Sequence, residues 1–205
     1  LSFEELLRLL ATEVKPNLSV APSNIFFYGT GVIDDTMQRA LQQAFSGAVV
    51  ATASDMLGAA RALCGHNEGI VAILGTGSNS CRYDGKEIVA NVRAGGYILG
   101  DEASGAYMGK MLLADYVKGL MPEHIAQALE REYGIDYPII VKNVYKSEQP
   151  SRYLASFSRF INENISDSYC DNLVSAALEA FVCRNLIQYG AGLTLNFAGS
   201  IAVAY

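Results

Sequence analysis

Apolar and polar positions alternate between two periods over the first eighty residues. Ser2-Phe3-Glu4-Glu5-Leu6-Leu7-Arg8-Leu9-Leu10 carries a helical apolar stripe behind a serine suited to a cap. Residues 15–24 hold Pro16 and Pro22 and predict a loop. Ile25-Phe26-Phe27-Tyr28 predicts a short buried strand that ends in Gly29-Thr30-Gly31. Residues 34–45 return to helical spacing, with Met37, Leu41 and Ala44 on one face. Residues 48–53 predict a strand, Asp55 follows it directly, and residues 56–64 predict a helix. Ile70 to Leu74 is an unbroken apolar run rich in β-branched residues, as expected of a strand covered on both faces. It stops at Gly75-Thr76-Gly77-Ser78-Asn79-Ser80. The order helix, strand, helix, strand, helix, strand predicts a mostly parallel sheet with covering helices.

The pattern then changes. Residues 80–83 and 87–92 flank Asp84-Gly85, a hairpin signal. Gly95-Gly96-Tyr97-Ile98-Leu99-Gly100 reads as a glycine-rich loop. Asp101-Glu102 then opens a predicted helix to about Lys118, with acids in the first turn where the helix dipole favours them. A helix over 122–133 has Pro122 early and Gly134 just past its end. Residues 137–146, 151–164 and 167–189 read as mainly helical, although Ile139-Ile140-Val141 fits a strand equally well. Residues 193–197 predict a strand, and Ala198-Gly199-Ser200-Ile201-Ala202 turns into a terminal helix. Three strands thus end in small-residue turns, and the repeated strand-to-Gly-Thr-Gly element points to two similar halves.

Composition narrows the function classes. With 51% hydrophobic and 18% charged residues in a chain of 205, a sizeable core is expected rather than disorder. The net charge is −6 and no Lys/Arg-rich block occurs, which argues against a nucleic-acid partner. The apolar runs fall far short of the ~18 residues a spanning helix needs, so a soluble protein with no membrane partner is expected. Cys64, Cys81, Cys170 and Cys183 are irregularly spaced and His66 and His124 are the only histidines, which does not fit a Cys/His metal site. Isolated cysteines suit a reducing compartment, and a cytoplasmic location is expected. The chain starts at Leu1 within helical periodicity and stops at Tyr205 within an apolar run, so material is expected to be missing at both ends.

Chemistry can sit at four places. The 75–80 loop follows a strand, where open α/β folds present ligands, and its glycines allow close approach. It is equally a Gly/Ser hairpin turn. Asp55 can accept a proton from a substrate hydroxyl, or simply cap its helix. Asn79 both donates and accepts, as a sugar hydroxyl or acetamido group requires, or bonds within its own turn. Asp101 and Glu102 can bind sugar hydroxyls or reach Mg²⁺ through water, or complement the helix dipole. No Walker A loop is present, since Gly109-Lys110 is followed by Met111 within a helix. No Gly-x-Ser-x-Gly nucleophile motif is present either.

Four segments in order carry a family resemblance: Ser54-Asp55-Met56-Leu57-Gly58-Ala59-Ala60-Arg61, Ile73-Leu74-Gly75-Thr76-Gly77-Ser78-Asn79-Ser80, Gly96-Tyr97-Ile98-Leu99-Gly100-Asp101-Glu102-Ala103-Ser104, and Phe197-Ala198-Gly199-Ser200-Ile201-Ala202. Over about residues 20–205 the chain resembles the BadF/BadG/BcrA/BcrD ATPase family, in its N-acetylglucosamine kinase branch. The resemblance implies an α/β fold of actin-like, ribonuclease H-like lobes around a nucleotide and sugar cleft. It implies the remainder of an N-terminal lobe at 1–64 and a C-terminal lobe at 65–205 with a helical insertion at about 101–190. It makes Asp55 the catalytic base, overriding the cap reading. It assigns phosphate to Gly75, Thr76 and Gly77, and adenosine to Gly199 and Ser200. It assigns the sugar to Asn79, Ser80, Gly96 and Asp101. ATP and Mg²⁺ are the implied cofactors and a small sugar the implied partner, with a homodimer left open and no metal ligand identified.

Three departures stand out. The family's opening strand with an Asp-x-Gly-x-Thr-like phosphate loop does not occur in this sequence, nor do the helices that follow the adenosine turn. Gly95 stands where mammalian-type kinases carry a tryptophan. Two other functions fit the resemblance or the composition. One is an ATPase that activates a 2-hydroxyacyl-CoA dehydratase, which needs cysteines for a shared iron–sulfur cluster. The other is a non-enzymatic regulator that senses a sugar or nucleotide.

Overall fold

The computed structural model describes residues 2–30 and 34–205, so Gly31 of the first predicted turn lies outside the described residues. The chain divides into two compact units, Leu1–Ala62 and Leu63–Tyr205.

In the first unit, α1 (Phe3–Leu9) starts with a full capping box. The Ser2 hydroxyl accepts from the Glu5 amide at 3.2 Å and the Glu5 carboxylate accepts from the Ser2 amide at 2.7 Å. A π-type turn (Leu10–Val14) and a 3₁₀ turn (Lys15–Asn17) extend it into the predicted loop. Strands β1 (Asn24–Gly29) and β2 (Val49–Ser54) pair in parallel, from Asn24 opposite Val49 to Gly29 opposite Ser54. Between them runs α2 (Thr36–Ala44), whose Met37, Leu41 and Ala44 pack with Leu10, Ala40 and Val50. The stripe predicted for α2 is therefore its core face. β1 differs from expectation. It alternates between half-buried and exposed, with Phe26 67% exposed, so its sheet is covered on one face. Helix α3 (Asp55–Cys64) follows β2 without a gap.

The second unit is built on one four-stranded sheet of β3 (Gly69–Leu74), β4 (Ser78–Tyr83), β5 (Ile88–Val92) and β6 (Leu195–Ala198), in the order β5-β4-β3-β6. β3–β4 and β4–β5 are antiparallel, and β6 joins β3 in parallel. Three antiparallel neighbours followed by a fourth strand parallel to the first make the ribonuclease H-like order, as the resemblance implies. Of the three strands expected to share a mostly parallel sheet, β1 and β2 do pair in parallel, whereas β3 stands in this separate sheet with an antiparallel neighbour. Three residues connect β3 to β4, and so short a link joins only antiparallel neighbours. The 84–85 signal is a hairpin turn, where the Asp84 carboxylate accepts from the Lys86 and Glu87 amides, each at 2.8 Å.

Helices fill the stretch between β5 and β6: α4 (Gly96–Leu99), α5 (Gly105–Lys118), α6 (Glu123–Tyr133), α7 (Tyr137–Tyr145), α8 (Pro150–Ser156), α9 (Ser158–Glu163) and α10 (Ser168–Arg184). A short α11 (Ser200–Ala204) follows β6. Ile139-Ile140-Val141 is helical, because Asp136 caps α7 and Ile140 faces the core. The predicted Gly-rich loop holds one helical turn, α4. The long helix starts later than the acids predicted: its cap is Ser104, whose hydroxyl accepts from the Tyr107 amide at 3.0 Å. Met108, Leu112, Phe157, Phe160, Ile161 and Phe181 form the centre of the core. Phe157 stacks on Tyr133 at 4.7 Å and edge-on to Tyr153 at 5.2 Å. Burying one such ring stabilises by roughly 1.5–3 kcal/mol. Among the described residues no helix is long and apolar enough to cross a membrane.

Candidate functional site

Asp55 is not the cap of its helix. The capping bond is made one residue earlier, where the Ser54 hydroxyl accepts from the Leu57 amide at 3.2 Å. Asp55 occupies the first helical position instead, directly after the C-terminal end of β2. One carboxylate oxygen accepts from the Met56 amide at 2.8 Å. The other accepts from the Thr30 hydroxyl at 2.6 Å, a bond from the residue just past β1. The parallel β1–β2 pair puts both strand ends side by side, which is why residues 25 apart in sequence meet. Each oxygen keeps a free lone pair, so the group is held in one orientation and can still accept a proton.

In the second unit the parallel β3–β6 pair does the same for two turns. Ile73 stands opposite Ala198, so Gly75-Thr76-Gly77 and Gly199-Ser200 leave the sheet at adjacent points on one edge. Their proximity is tight. Gly199 has φ +106°, and a Cβ there would run into the Leu74 carbonyl. Only glycine lets the two chains lie this close.

The 75–77 turn is a hairpin turn closed by the Gly75 amide on the Gly77 carbonyl at 2.9 Å. Its remaining carbonyls face α5: Gly75 accepts from the Gly105 amide at 2.8 Å and Thr76 from the Ala106 amide at 3.1 Å. The turn therefore supplies partners that the first turn of a helix lacks. The hairpin and ligand readings of this loop are compatible, since the carbonyls serve the fold and the Thr76 and Gly77 amides are left as donors.

Asp101 lies against this turn. A Cβ on Gly77 would sit 2.9 Å from its carboxylate, and the Ser78 amide donates to it. Asp101 and Ala103 have φ of +53° and +58°, the left-handed region that non-glycine residues seldom occupy. Such backbone strain costs of order 1–3 kcal/mol each and clusters at ligand sites. Burial pushes the Asp101 carboxyl above its ordinary range and the Glu102 charge adds to that, while the Ser78 amide and the Lys110 ammonium oppose it. A carboxylate raised in the fold contributes stability below its unfolded value, near 3.8, and loses it as pH rises through the raised one. Asp101→Asn keeps the Ser78 bond, suits the left-handed backbone and removes the buried charge. We expect it to melt above the wild type at pH 7, with the gap closing below pH 3.8. Thermal melts at both pH values read this effect.

Glu102 does not complement a helix dipole, because the helix starts beyond it. It is buried and pairs with Arg184 and with the Asn185 amide group, each at 3.3 Å. Gly96 opens α4 with φ +71°, and Lys110 of α5 donates to the Tyr97 carbonyl at 3.0 Å, which ties α4 in place. Asn79 is half-buried on β4. The Ser80 side chain is fully buried and meets the Tyr189 hydroxyl at 2.9 Å. Ser80 thus sits inside a polar network and has no face open to a ligand. Cys64 and Cys81 are buried as well, and burial pushes the Cys81 thiol up to about 11. Among the described residues no three Asp, Glu, His or Cys side chains gather as a metal-ligand set.

The structure therefore brings Gly75, Thr76, Gly77, Asp101, Gly199 and Ser200 to one edge of the second unit, and places Asp55 at a strand end of the first. Thr30, Asn91, Tyr189 and Arg184 join these groups without a local signal, since each acts across 11 to 109 residues.

No protein-family model and no curated protein matches the chain. Solved structures do. A candidate N-acetylglucosamine kinase from Porphyromonas gingivalis is similar at 40% identity with a TM-score of 0.95, over 100% of this chain and 75% of that one. A candidate N-acetylglucosamine kinase from Chromobacterium violaceum is similar at 23% identity with a TM-score of 0.71, over 91% of this chain and 68% of that one. The second likeness speaks to the fold alone.

Proposed function

Because the chain belongs to the N-acetylglucosamine kinase-like branch of the BadF/BadG/BcrA/BcrD ATPase family, we propose that it transfers the γ-phosphoryl group of ATP to a hydroxyl of an amino sugar, O6 of N-acetylglucosamine. The observation that carries this reading is the pair of turns on one edge of β3–β6, closed so tightly that position 199 admits only glycine. Two glycine turns at adjacent strand ends suit a nucleotide: Thr76 and Gly77 for phosphate, Gly199 and Ser200 for the adenosine.

Phosphoryl transfer needs alignment and charge neutralisation more than covalent help. Asp55 is the base that takes the proton of the attacking hydroxyl, held in orientation by Thr30 and the Met56 amide. Asn79, Asp101 and Gly96 hold the sugar. Ser80, buried against Tyr189, serves the same site through its backbone N–H, which donates to Asn79. Asp101 and the nucleotide turn share the Gly77–Ser78 backbone, so phosphate and sugar are positioned by one element. Exclusion of water from the bound nucleotide would protect ATP from hydrolysis. Mg²⁺ bound with the nucleotide would supply neutralising charge to its phosphates, and no side chain among the described residues is assigned to hold it. The units Leu1–Ala62 and Leu63–Tyr205 are taken as the two lobes.

The dehydratase-activator alternative needs cysteines offered to a shared cluster. Cys64 and Cys81 are packed thiols, and the high value of Cys81 opposes the thiolate a cluster requires.

The test is ADP release across N-acetylglucosamine, glucose and N-acetylmannosamine. N-acetylglucosamine is expected to give the highest kcat/KM. Sugar binding with no ADP release from any of the three would favour a sensing role and overturn the kinase.

A further inference from the structure

We propose that Asn91 is a positioning residue that makes Asn79 a hydrogen-bond donor, and only a donor, toward the substrate. The proposal rests on the sugar-binding role given to Asn79 above and adds which chemistry that residue reads.

The orientation of both side-chain amides follows from the Ser80 backbone. The Ser80 N–H donates to the Asn79 side chain at 2.9 Å, and an N–H can meet only the oxygen of that amide. The Ser80 carbonyl accepts from Asn91 at 2.6 Å, and a carbonyl can meet only the NH₂ of that amide. The same Asn91 nitrogen donates to the Asn79 oxygen at 2.9 Å. Both lone pairs of the Asn79 oxygen are thus used, and no partner among the described residues takes its NH₂.

Ser80 cannot swing to release this arrangement. Its carbonyl also accepts from the Tyr189 hydroxyl at 2.8 Å, and that hydroxyl accepts from the Val92 amide at 2.8 Å. Tyr189 is buried and joins β4 to β5 from the stretch just after α10. A flipped Asn79 would lose two bonds and face two donors, the Ser80 N–H and the Asn91 NH₂. Position 79 therefore meets the ligand with two N–H groups. It binds a hydroxyl oxygen or an acetamido carbonyl, and it repels a substituent that only donates, such as an ammonium.

The test is equilibrium binding of N-acetylglucosamine and its monodeoxy and de-acetylated analogues to the protein, without nucleotide. In the wild type, removal of the oxygen that Asn79 reads is expected to weaken binding about 3- to 10-fold. Asn91→Asp replaces the NH₂ by an oxygen that cannot donate to Asn79 or to Ser80. The penalty for that one analogue should vanish in this variant, and N-acetylglucosamine itself should bind about as weakly as the analogue. Asn91→Leu, which removes the donor without adding charge, should give an intermediate loss. Asn91 is exposed, so both variants are expected to fold, and melting curves check this. A general structural role would weaken all analogues alike. An unchanged analogue penalty in both variants, or uniform weakening across the panel, overturns the inference while ADP release still stands for the kinase. Selective loss without ADP release sustains the inference and overturns the kinase. No binding by any sugar overturns both.

Discussion

Asp55→Asn is expected to lower kcat by about 10²-fold or more while sugar binding stays within about 2-fold. The amide is isosteric with the carboxylate. Its oxygen can still accept from Thr30 or from the Met56 amide, and Ser54 continues to cap α3. Geometry and fold are therefore preserved, and only the capacity to take a proton is lost. Single-turnover phosphoryl transfer with N-acetylglucosamine, together with a sugar titration, separates the two effects. Turnover near the wild-type value would remove Asp55 from its role as base. Loss of sugar affinity in parallel with kcat would instead make it a binding residue.

Gly199→Ala is expected to be among the most damaging single methyl additions in the second unit. The new carbon would run into the Leu74 carbonyl, which is backbone within β3 and cannot rotate away. The φ of +106° adds strain for any residue with a side chain. A clash and a strained backbone together cost about 3 kcal/mol or more. In a chain of this size that lowers Tm by roughly 6–12 °C. The turn proposed to hold adenosine would move with it, so the KM for ATP should rise as well. Gly75→Ala is the comparison, because a Cβ there meets nothing within 4 Å and the backbone angle is ordinary. It should leave Tm within about 1 °C. Calorimetry of the two variants reads the contrast, and equal stabilities would show that the two turns are not packed as described.

Much of the architecture was legible along the chain because its causes are local. The capping serine of α1, the α2 stripe, the Asp84-Gly85 turn and Gly134 after α6 each depend on a few neighbouring residues. The same holds for the buried run of β3, whose sixth position from Gly69 still ends at the glycine turn. Where the reading failed, a distant partner decided. The long helix starts at Ser104 rather than Asp101 because the turn at 75–77 offers its carbonyls to Gly105 and Ala106. Glu102 is an ion-pair partner of Arg184 rather than a dipole-complementing acid for the same reason.

The sequence by itself determined the residue types: a lone aspartate after a strand, glycines at two strand ends, and an asparagine beside them. Tertiary structure decided which atoms of those residues are free to act. Parallel pairing brought Thr30 to Asp55 and Gly199 to Leu74, and the Ser80 backbone chose the face that Asn79 turns outward. Hydrogen-bond capacity is finite, so a side chain's chemistry toward a ligand is what remains after its neighbours are satisfied. Those neighbours lie up to 125 residues away in the chain, as Leu74 and Gly199 do, where no local pattern can announce them.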